Sequence, residues 1–251
     1  MTAGRIIKNF NGYYYVETSE KEIVTCKIKG KMKQGRFSAV TGDMVEFEKN
    51  PDGESMIKTI LPRRNFMERP SMANLDCIVI AFACAGPDFS FLLADKMLAF
   101  AERAGIEAVL CLNKTDLVSA EQLEKIAGVY RAGYKVFEVS TFNGTGLDAL
   151  KEYLNGKISA FAGPSGVGKS SMLNALQPGI ALVTGSVSEK IGRGRHTTRY
   201  AQLLPIRQAV AICWQKILMR VSCINISGNL KILNTSVNLY RVPIRMNRSA
   251  V

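Results

Sequence analysis

The chain has 251 residues, room for one large domain or two smaller ones. A hydrophobic content of 47% with 22% charged residues excludes a largely disordered or collagen-like chain. No apolar run reaches the ~18–20 residues of a transmembrane helix, and Met1-Thr2-Ala3-Gly4-Arg5 leads into a polar stretch rather than the apolar core of a secretory signal. A cytoplasmic protein with no membrane partner is therefore expected. Lys and Arg number 33 against 21 Asp and Glu, a net charge of +12. The excess is uneven: residues 1–70 hold 13 basic and 9 acidic side chains, 71–206 hold 13 and 12, and 207–251 hold 7 and 0. Basic character points to nucleic acid, but more than half of it lies in the last 45 residues.

The first 64 residues read as short strands. Residues 5–10 and 13–18 flank Asn11-Gly12, a hairpin signal. Residues 23–28 alternate and are β-branched, and 44–48 and 56–61 follow across the turn cluster Asn50-Pro51-Asp52-Gly53. Five short strands predict a small OB-like barrel, a fold that commonly binds oligonucleotides. Lys27, Lys29, Lys31, Lys33 and Arg36 run through it without an intervening acid, which suits a phosphate backbone.

Pro62-Arg63-Arg64 reads as a linker, and beyond it the pattern becomes alternating strands and helices. Strands are expected at 77–82, 107–112, 136–139 and 157–162. Helices are expected at 91–104, 121–130, 147–154 and 170–176, the last broken by Pro178-Gly179. This order predicts an α/β domain with an open, mostly parallel sheet covered on both faces. The domain limits are 1–64 for the OB-like barrel, 65–206 for the α/β domain and 207–251 for a basic tail of uncertain structure. The cysteines Cys26, Cys77, Cys84, Cys111, Cys213 and Cys223 form no C-x-x-C pair, and His196 is the one histidine. No zinc site is expected, and reduced, buried thiols are.

Gly163-Pro164-Ser165-Gly166-Val167-Gly168-Lys169-Ser170 fits G-x-x-x-x-G-K-[ST] between a strand and a helix. Its glycines let backbone N–H groups face phosphate oxygens. Lys169 is expected to reach the β- and γ-phosphates, and Ser170 to place its hydroxyl on Mg²⁺. Asn113-Lys114-Thr115-Asp116 ends another strand, at the sheet edge where α/β proteins bind ligands. A carboxylate there accepts from the ring N–H and the amino group of guanine, a donor pair adenine lacks. GTP and GDP are the expected ligands, and ATPase activity is the disfavoured alternative. Asn113 and Lys114 are expected to brace the loop and cover the base. Val139-Ser140-Thr141 also follows a strand, so that a backbone N–H near Ser140 meets the guanine oxygen. Because Asp116 precedes the phosphate loop, the order is the reverse of Ras-like GTPases, and the domain reads as circularly permuted. Gly192-Arg193-Gly194-Arg195-His196-Thr197-Thr198-Arg199 reads as a basic mobile loop, with Thr198, or else Thr197, completing the Mg²⁺ shell.

On these motifs residues 1–206 resemble the ribosome small-subunit-dependent GTPase A family of circularly permuted bacterial GTPases. The match includes 163–171, with Ser171 closing the phosphate loop, and the string 192–199. The resemblance implies GTP hydrolysis stimulated by the small ribosomal subunit, a role in its late maturation, and rRNA contact through the barrel. A monomer is expected. The family also has an apolar strand ending in D-T-P-G and a zinc-binding helical domain. Here no Asp follows Asp148, and Cys213 and Cys223 have no nearby histidine. A frameshift near codon 206 is the favoured reading and a shortened natural variant the other. A gap in the sheet beside the phosphate-loop strand, filled poorly by 209–214, and impaired hydrolysis are expected to follow. A non-catalytic RNA-binding remnant built on the barrel is the alternative function.

Overall fold

Pairing at the first hairpin starts from Asn11 and Gly12, whose φ angles of 50° and 80° are the positive pair a tight two-residue turn requires. They join β1 (Thr2–Phe10) to β2 (Tyr13–Thr18), with Phe10 opposite Tyr13. In β2 the pattern alternates: Tyr14, Val16 and Thr18 face inward and Tyr13, Tyr15 and Glu17 do not. With β3 (Ile23–Ile28), β4 (Met44–Glu48) and β5 (Ser55–Ile60) the strands close in the order β1-β2-β3-β5-β4. Closure leaves no free edge. Ile6, Val16, Cys26, Val45, Phe47 and Ile57 fill the interior. This is the expected five-stranded OB-like barrel. The computed structural model describes residues 1–28, 38–50, 54–68, 71–177, 204–206 and 209–213. The basic stretch 29–36 lies outside the described residues.

The segment read as a linker is a fastening. Arg63 grips Asp43 with two hydrogen bonds, Nε to Oδ1 at 2.7 Å and Nη2 to Oδ2 at 2.8 Å, and also donates to the Ser38 carbonyl at 2.8 Å. The Asp43 carboxylate is fully buried and also accepts from the Val40 amide at 2.8 Å. Next to it Arg64 reaches Asp76, Nη2 to Oδ1, at 2.6 Å. A hairpin absent from the sequence reading, β6 (Phe66–Glu68) with β7 (Ser71–Ala73), lies against the barrel. The Ala73 amide donates to the Thr41 carbonyl at 3.0 Å, and Asn74 Nδ2 donates to the Gly42 carbonyl at 3.0 Å.

The second sheet has the order β10-β9-β8-β11-β13-β12. Its strands are β8 (Cys77–Ala83), β9 (Glu107–Asn113), β10 (Lys135–Glu138), β11 (Ile158–Ala162), β12 (Leu204–Ile206) and β13 (Ala209–Cys213). β8 is buried throughout, as a strand covered on both faces must be. Its Ile78, Ile80 and Phe82 pack with α1 (Phe91–Arg103) and α2 (Ala120–Arg131). Its Cys77, Val79 and Ala81 pack on the other face with α3 (Leu147–Leu154) and α4 (Lys169–Leu176). The helices begin where local chemistry stops the chain: Ser90 caps α1 and Ser119 forms a capping box with Gln122 on α2.

The expected gap beside β11 is not there. Ala209–Cys213 pairs in parallel with β11, Ile158 opposite Val210 through Phe161 opposite Cys213, and antiparallel with β12. Pairing there satisfies the backbone groups that β11 would otherwise leave open. Cys26, Cys77, Cys84 and Cys111 are free, buried thiols. Burial raises the thiol pKa of Cys26 and of Cys84 to about 11. No helix among the described residues is long and apolar enough to cross a membrane.

Replacing Asp43 by Ala strands a guanidinium and a backbone N–H in the barrel junction. Such a break costs about 3 kcal/mol, and urea unfolding should show a midpoint lowered to match, with Asp43→Asn intermediate.

Candidate nucleotide site

Three loops leave the carboxyl ends of β9, β10 and β11, and one side chain joins them. Asn113, the last residue of β9, is fully buried. Its Nδ2 donates to the Val167 carbonyl in the phosphate loop at 2.8 Å. Its Oδ1 accepts from the Thr141 amide in the loop after β10 at 3.2 Å. The loops are brought together although Asn113 and Val167 are 54 residues apart.

The phosphate loop, Gly163 to Ser170, follows β11 and runs into α4. Two of its glycines have steric reasons. Gly163 has φ of 145°, and a Cβ there would lie 2.0 Å from the Ala81 carbonyl oxygen. Gly168 has φ of 93°, and a Cβ would lie 2.2 Å from Asn113 Nδ2. Lys169 is 5% exposed. Its ammonium donates to the Gly163 carbonyl at 2.8 Å and the Pro164 carbonyl at 2.5 Å. Val167 is buried, Ser165 and Gly166 are exposed, and Ser170 and Ser171 lie half-buried in the first turn of α4.

On the other side Asp116 is exposed at the loop after β9, within the 3-10 turn Thr115–Leu117. Its Oδ1 accepts from the Ser140 hydroxyl, which in turn accepts from the Phe142 and Asn143 amides at 3.2 and 3.3 Å. Thr115 donates through Oγ1 to the Val139 carbonyl at 3.1 Å. Lys114 has the left-handed φ of 62° and stretches to the Gly86 carbonyl in the loop after β8. That loop also flanks the phosphate loop, since a Cβ on Gly166 would touch Pro87 at 3.6 Å. The residues 84–90 were not among the sequence candidates, because only the spatial order of strands, with β8 between β9 and β11, brings them to the site.

Asn113, Lys114, Thr115, Asp116, Ser140 and the loop 163–171 thus converge at one edge of the sheet. Thr198, Thr197, His196 and the rest of 192–199 lie outside the described residues. The arrangement can hold an elongated polyanion at the amino end of α4 and a flat heterocycle with paired donors at Asp116.

A phosphate loop that follows the fourth strand of its sheet in space, with the base-reading loop earlier in the chain, defines a circularly permuted GTPase fold. The chain belongs to the RsgA family: the family model described as RsgA GTPase matches residues 60–213, and that described as RsgA N-terminal domain matches residues 3–57. It is 46% identical over 204 residues to the small ribosomal subunit biogenesis GTPase RsgA of Caldanaerobacter subterraneus subsp. tengcongensis, covering 81% of this chain and 69% of that one. The protein of the same name from Carboxydothermus hydrogenoformans is 44% identical, with 81% and 70% covered. The crystal structure of YjeQ from Thermotoga maritima matches with a TM-score of 0.72 and 33% identity, over 84% of this chain and 73% of that one. YloQ, described as a circularly permuted GTPase, matches with a TM-score of 0.67 and 28% identity, over 84% and 70%.

Asn113→Ala should disable the site as a unit. It leaves the Val167 carbonyl and the Thr141 amide buried without that partner, which costs about 2 kcal/mol or more. Hydrogen exchange should rise together in residues 139–142 and 163–168 while the barrel amides stay protected.

Proposed function

We propose that the chain is a guanine-nucleotide-binding GTPase that acts on the small ribosomal subunit and contacts its rRNA through the barrel. The observation that carries the nucleotide reading is the tie from Asn113 to both Val167 and Thr141, which sets the phosphate loop and the base-reading loop in one frame. Lys169 neutralises the phosphates. Ser170 would hold Mg²⁺ through its hydroxyl, and Thr198 would join that shell when a γ-phosphate is present. The ion supplies charge neutralisation between the phosphates. The donor set fits: a hydroxyl follows directly on the lysine at a helix start, and the glycines before it leave backbone free to approach. Asp116, held by Ser140, reads guanine.

The names of the relatives support the ribosomal role, and the surface of the barrel supports RNA. Lys8 lies over Phe10 at 5.6 Å and over Tyr15 at 5.5 Å, and Lys27 over Tyr13 at 4.9 Å. Phe10 and Tyr13 are each 37% exposed at the end of the first hairpin. Aromatic faces among cations suit unpaired bases on a charged backbone. Hydrolysis by this chain is slow in our reading, because no Asp after Asp148 is available for the D-x-x-G of the family.

Titration with labelled GDP in the presence of excess ATP tests the first part. Lys169→Ala should abolish binding. Asp116→Asn should lose GDP and gain xanthosine diphosphate, because an amide can donate to the extra carbonyl. Unchanged GDP affinity in Asp116→Asn, or displacement by ATP, would refute the assignment. For the barrel, Tyr13→Ala should weaken single-stranded RNA about tenfold, and Lys8→Ala with Lys27→Ala should flatten the salt dependence. GDP binding should be untouched in all three.

A further inference from the structure

The barrel carries a cleft of about 350 Å³ at the end of β1 and β2 far from their shared turn, with Arg5, Glu17, Thr18, Ser19 and Met44 among its walls. Position 4 in the same wall is bare for a steric reason: a Cβ on Gly4 would lie 2.5 Å from Val16 Cγ1 and 2.7 Å from the Glu17 carbonyl oxygen. β1 thus lies close against β2, in the register that sets Arg5 opposite Glu17. On its other flank Arg5 stands opposite Met44 of β4. Arg5 is short of acceptors. A guanidinium has five N–H donors, and among the described residues this one makes a single long hydrogen bond, from Nη1 to the Gly42 carbonyl at 3.3 Å. Burial holds its pKa below the usual value, against the pull of Asp76 and Glu17. Neither carboxylate pairs with it: Asp76 takes Arg64 at 2.6 Å and the Ile158 amide at 2.7 Å, and Glu17 lies 3.7 Å from the exposed Lys21 ammonium. Thr18 is buried, and its hydroxyl has no hydrogen-bond partner among the described residues, a condition folded proteins ordinarily avoid.

The cleft continues a surface already described. Three cross-strand pairs share the outward face of the first hairpin: Arg5 with Glu17, Lys8 with Tyr15, and Phe10 with Tyr13. Arg5 lies about 17 Å from Phe10 along the strand at the usual rise per residue. A single strand laid along this face from its aromatic end runs to the cleft. The walls there select what enters. Glu17 repels a phosphate, so the cleft suits a neutral group that offers both acceptors and donors. Guanine presents N7 and O6 as adjacent acceptors, followed by N1–H and the amino group as donors. An arginine fork fits the first pair and a carboxylate the second. Cytosine has an acceptor pair but only its amino group to give the carboxylate, and adenine and uracil lack adjacent acceptors. Met44 supplies apolar surface against a base.

We propose that this cleft receives an unpaired guanine base of RNA, with Arg5 donating to its N7 and O6 and Glu17 accepting from its N1–H and amino group. The inference rests on the RNA reading of the barrel above and adds base selectivity to it. Stacking on Tyr13 and Phe10 is indifferent to the hydrogen-bonding edge of a base, whereas the Arg5–Glu17 pair reads that edge. Only unpaired RNA exposes the whole edge to a side-chain pair.

The test is anisotropy of short labelled oligouridines, plain or carrying one guanosine, inosine, cytidine or adenosine, with the full chain and saturating GDP to occupy the nucleotide site. The unaltered chain should bind the guanosine oligomer about tenfold tighter than the adenosine one. Arg5→Lys keeps the charge and loses the fork, so it should erase that preference while the salt dependence stays the same. Glu17→Ala should erase the preference of guanosine over inosine, which lacks the amino group. Tyr13→Ala should weaken every oligomer by the same factor and leave the preference intact. Retained binding of plain oligouridine shows an intact barrel in each variant. If the unaltered chain binds none of the oligomers, the RNA reading falls and this inference with it. If it binds them all equally, only this inference falls. A guanosine preference that survives both Arg5→Lys and Glu17→Ala would also overturn it, and so would a preference for cytidine over guanosine.

Discussion

The hydrogen bonds of one buried amide, Asn113, decide where everything else in the nucleotide site stands. An Asn side chain offers a donor and an acceptor in one plane, pointing to opposite sides of its axis. Here the donor takes the Val167 carbonyl and the acceptor takes the Thr141 amide. Asp could offer no donor to Val167, and Gln would need more room than the close approach of Gly168 allows. That approach explains the glycine: with its Cβ position 2.2 Å from the amide nitrogen, no side chain fits. The two residues are a matched pair across 55 positions of sequence.

Chain order is irrelevant to such a site. The sheet places β8 between β9 and β11, and parallel pairing puts the carboxyl ends of all three on one edge. Loops from those ends meet whichever comes first in the chain. A permutation therefore preserves the chemistry while moving the chain ends. It also places the barrel directly before β8, where Arg63, Arg64 and Asn74 bind it to the sheet domain through Asp43, Asp76 and Gly42. The polar groups in this junction are paired almost completely. A buried carboxylate is tolerable there because Arg63 supplies two donors in the plane of the carboxylate and the Val40 amide a third.

What the sequence made legible was periodic or punctuated. The strand and helix positions followed from alternation, apolar runs and caps, and their ends lie within a residue of the structure except at the start of β1, which begins at Thr2 rather than at residue 5. The bounds of β2, β3, β4 and α3 coincide with the expected ones. The phosphate loop and Asn113-Lys114-Thr115-Asp116 were readable because the chemistry confines the residue types at each position. The fastening at Arg63 was not readable, since its partner lies 20 positions away and either residue alone is an ordinary surface type. The β6–β7 hairpin was missed because three-residue strands carry no period. β13 takes the slot beside β11 that 209–214 was expected to fill poorly, paired there on both sides with β11 and β12.

Lys169 shows how the site is prepared for charge. An ammonium at 5% exposure cannot be left without compensation in a protein interior. The loop supplies that compensation from its own backbone, through the Gly163 and Pro164 carbonyls. Carbonyl dipoles balance only part of a full positive charge, so the loop retains a net positive field, reinforced by the amino end of α4. In the nucleotide site proposed above, phosphate oxygens would meet a cation already held by bonds to residues 163 and 164. The same two carbonyls thus fix where the Lys169 ammonium sits within the loop. The buried Asn113 bridge keeps that position constant relative to Asp116.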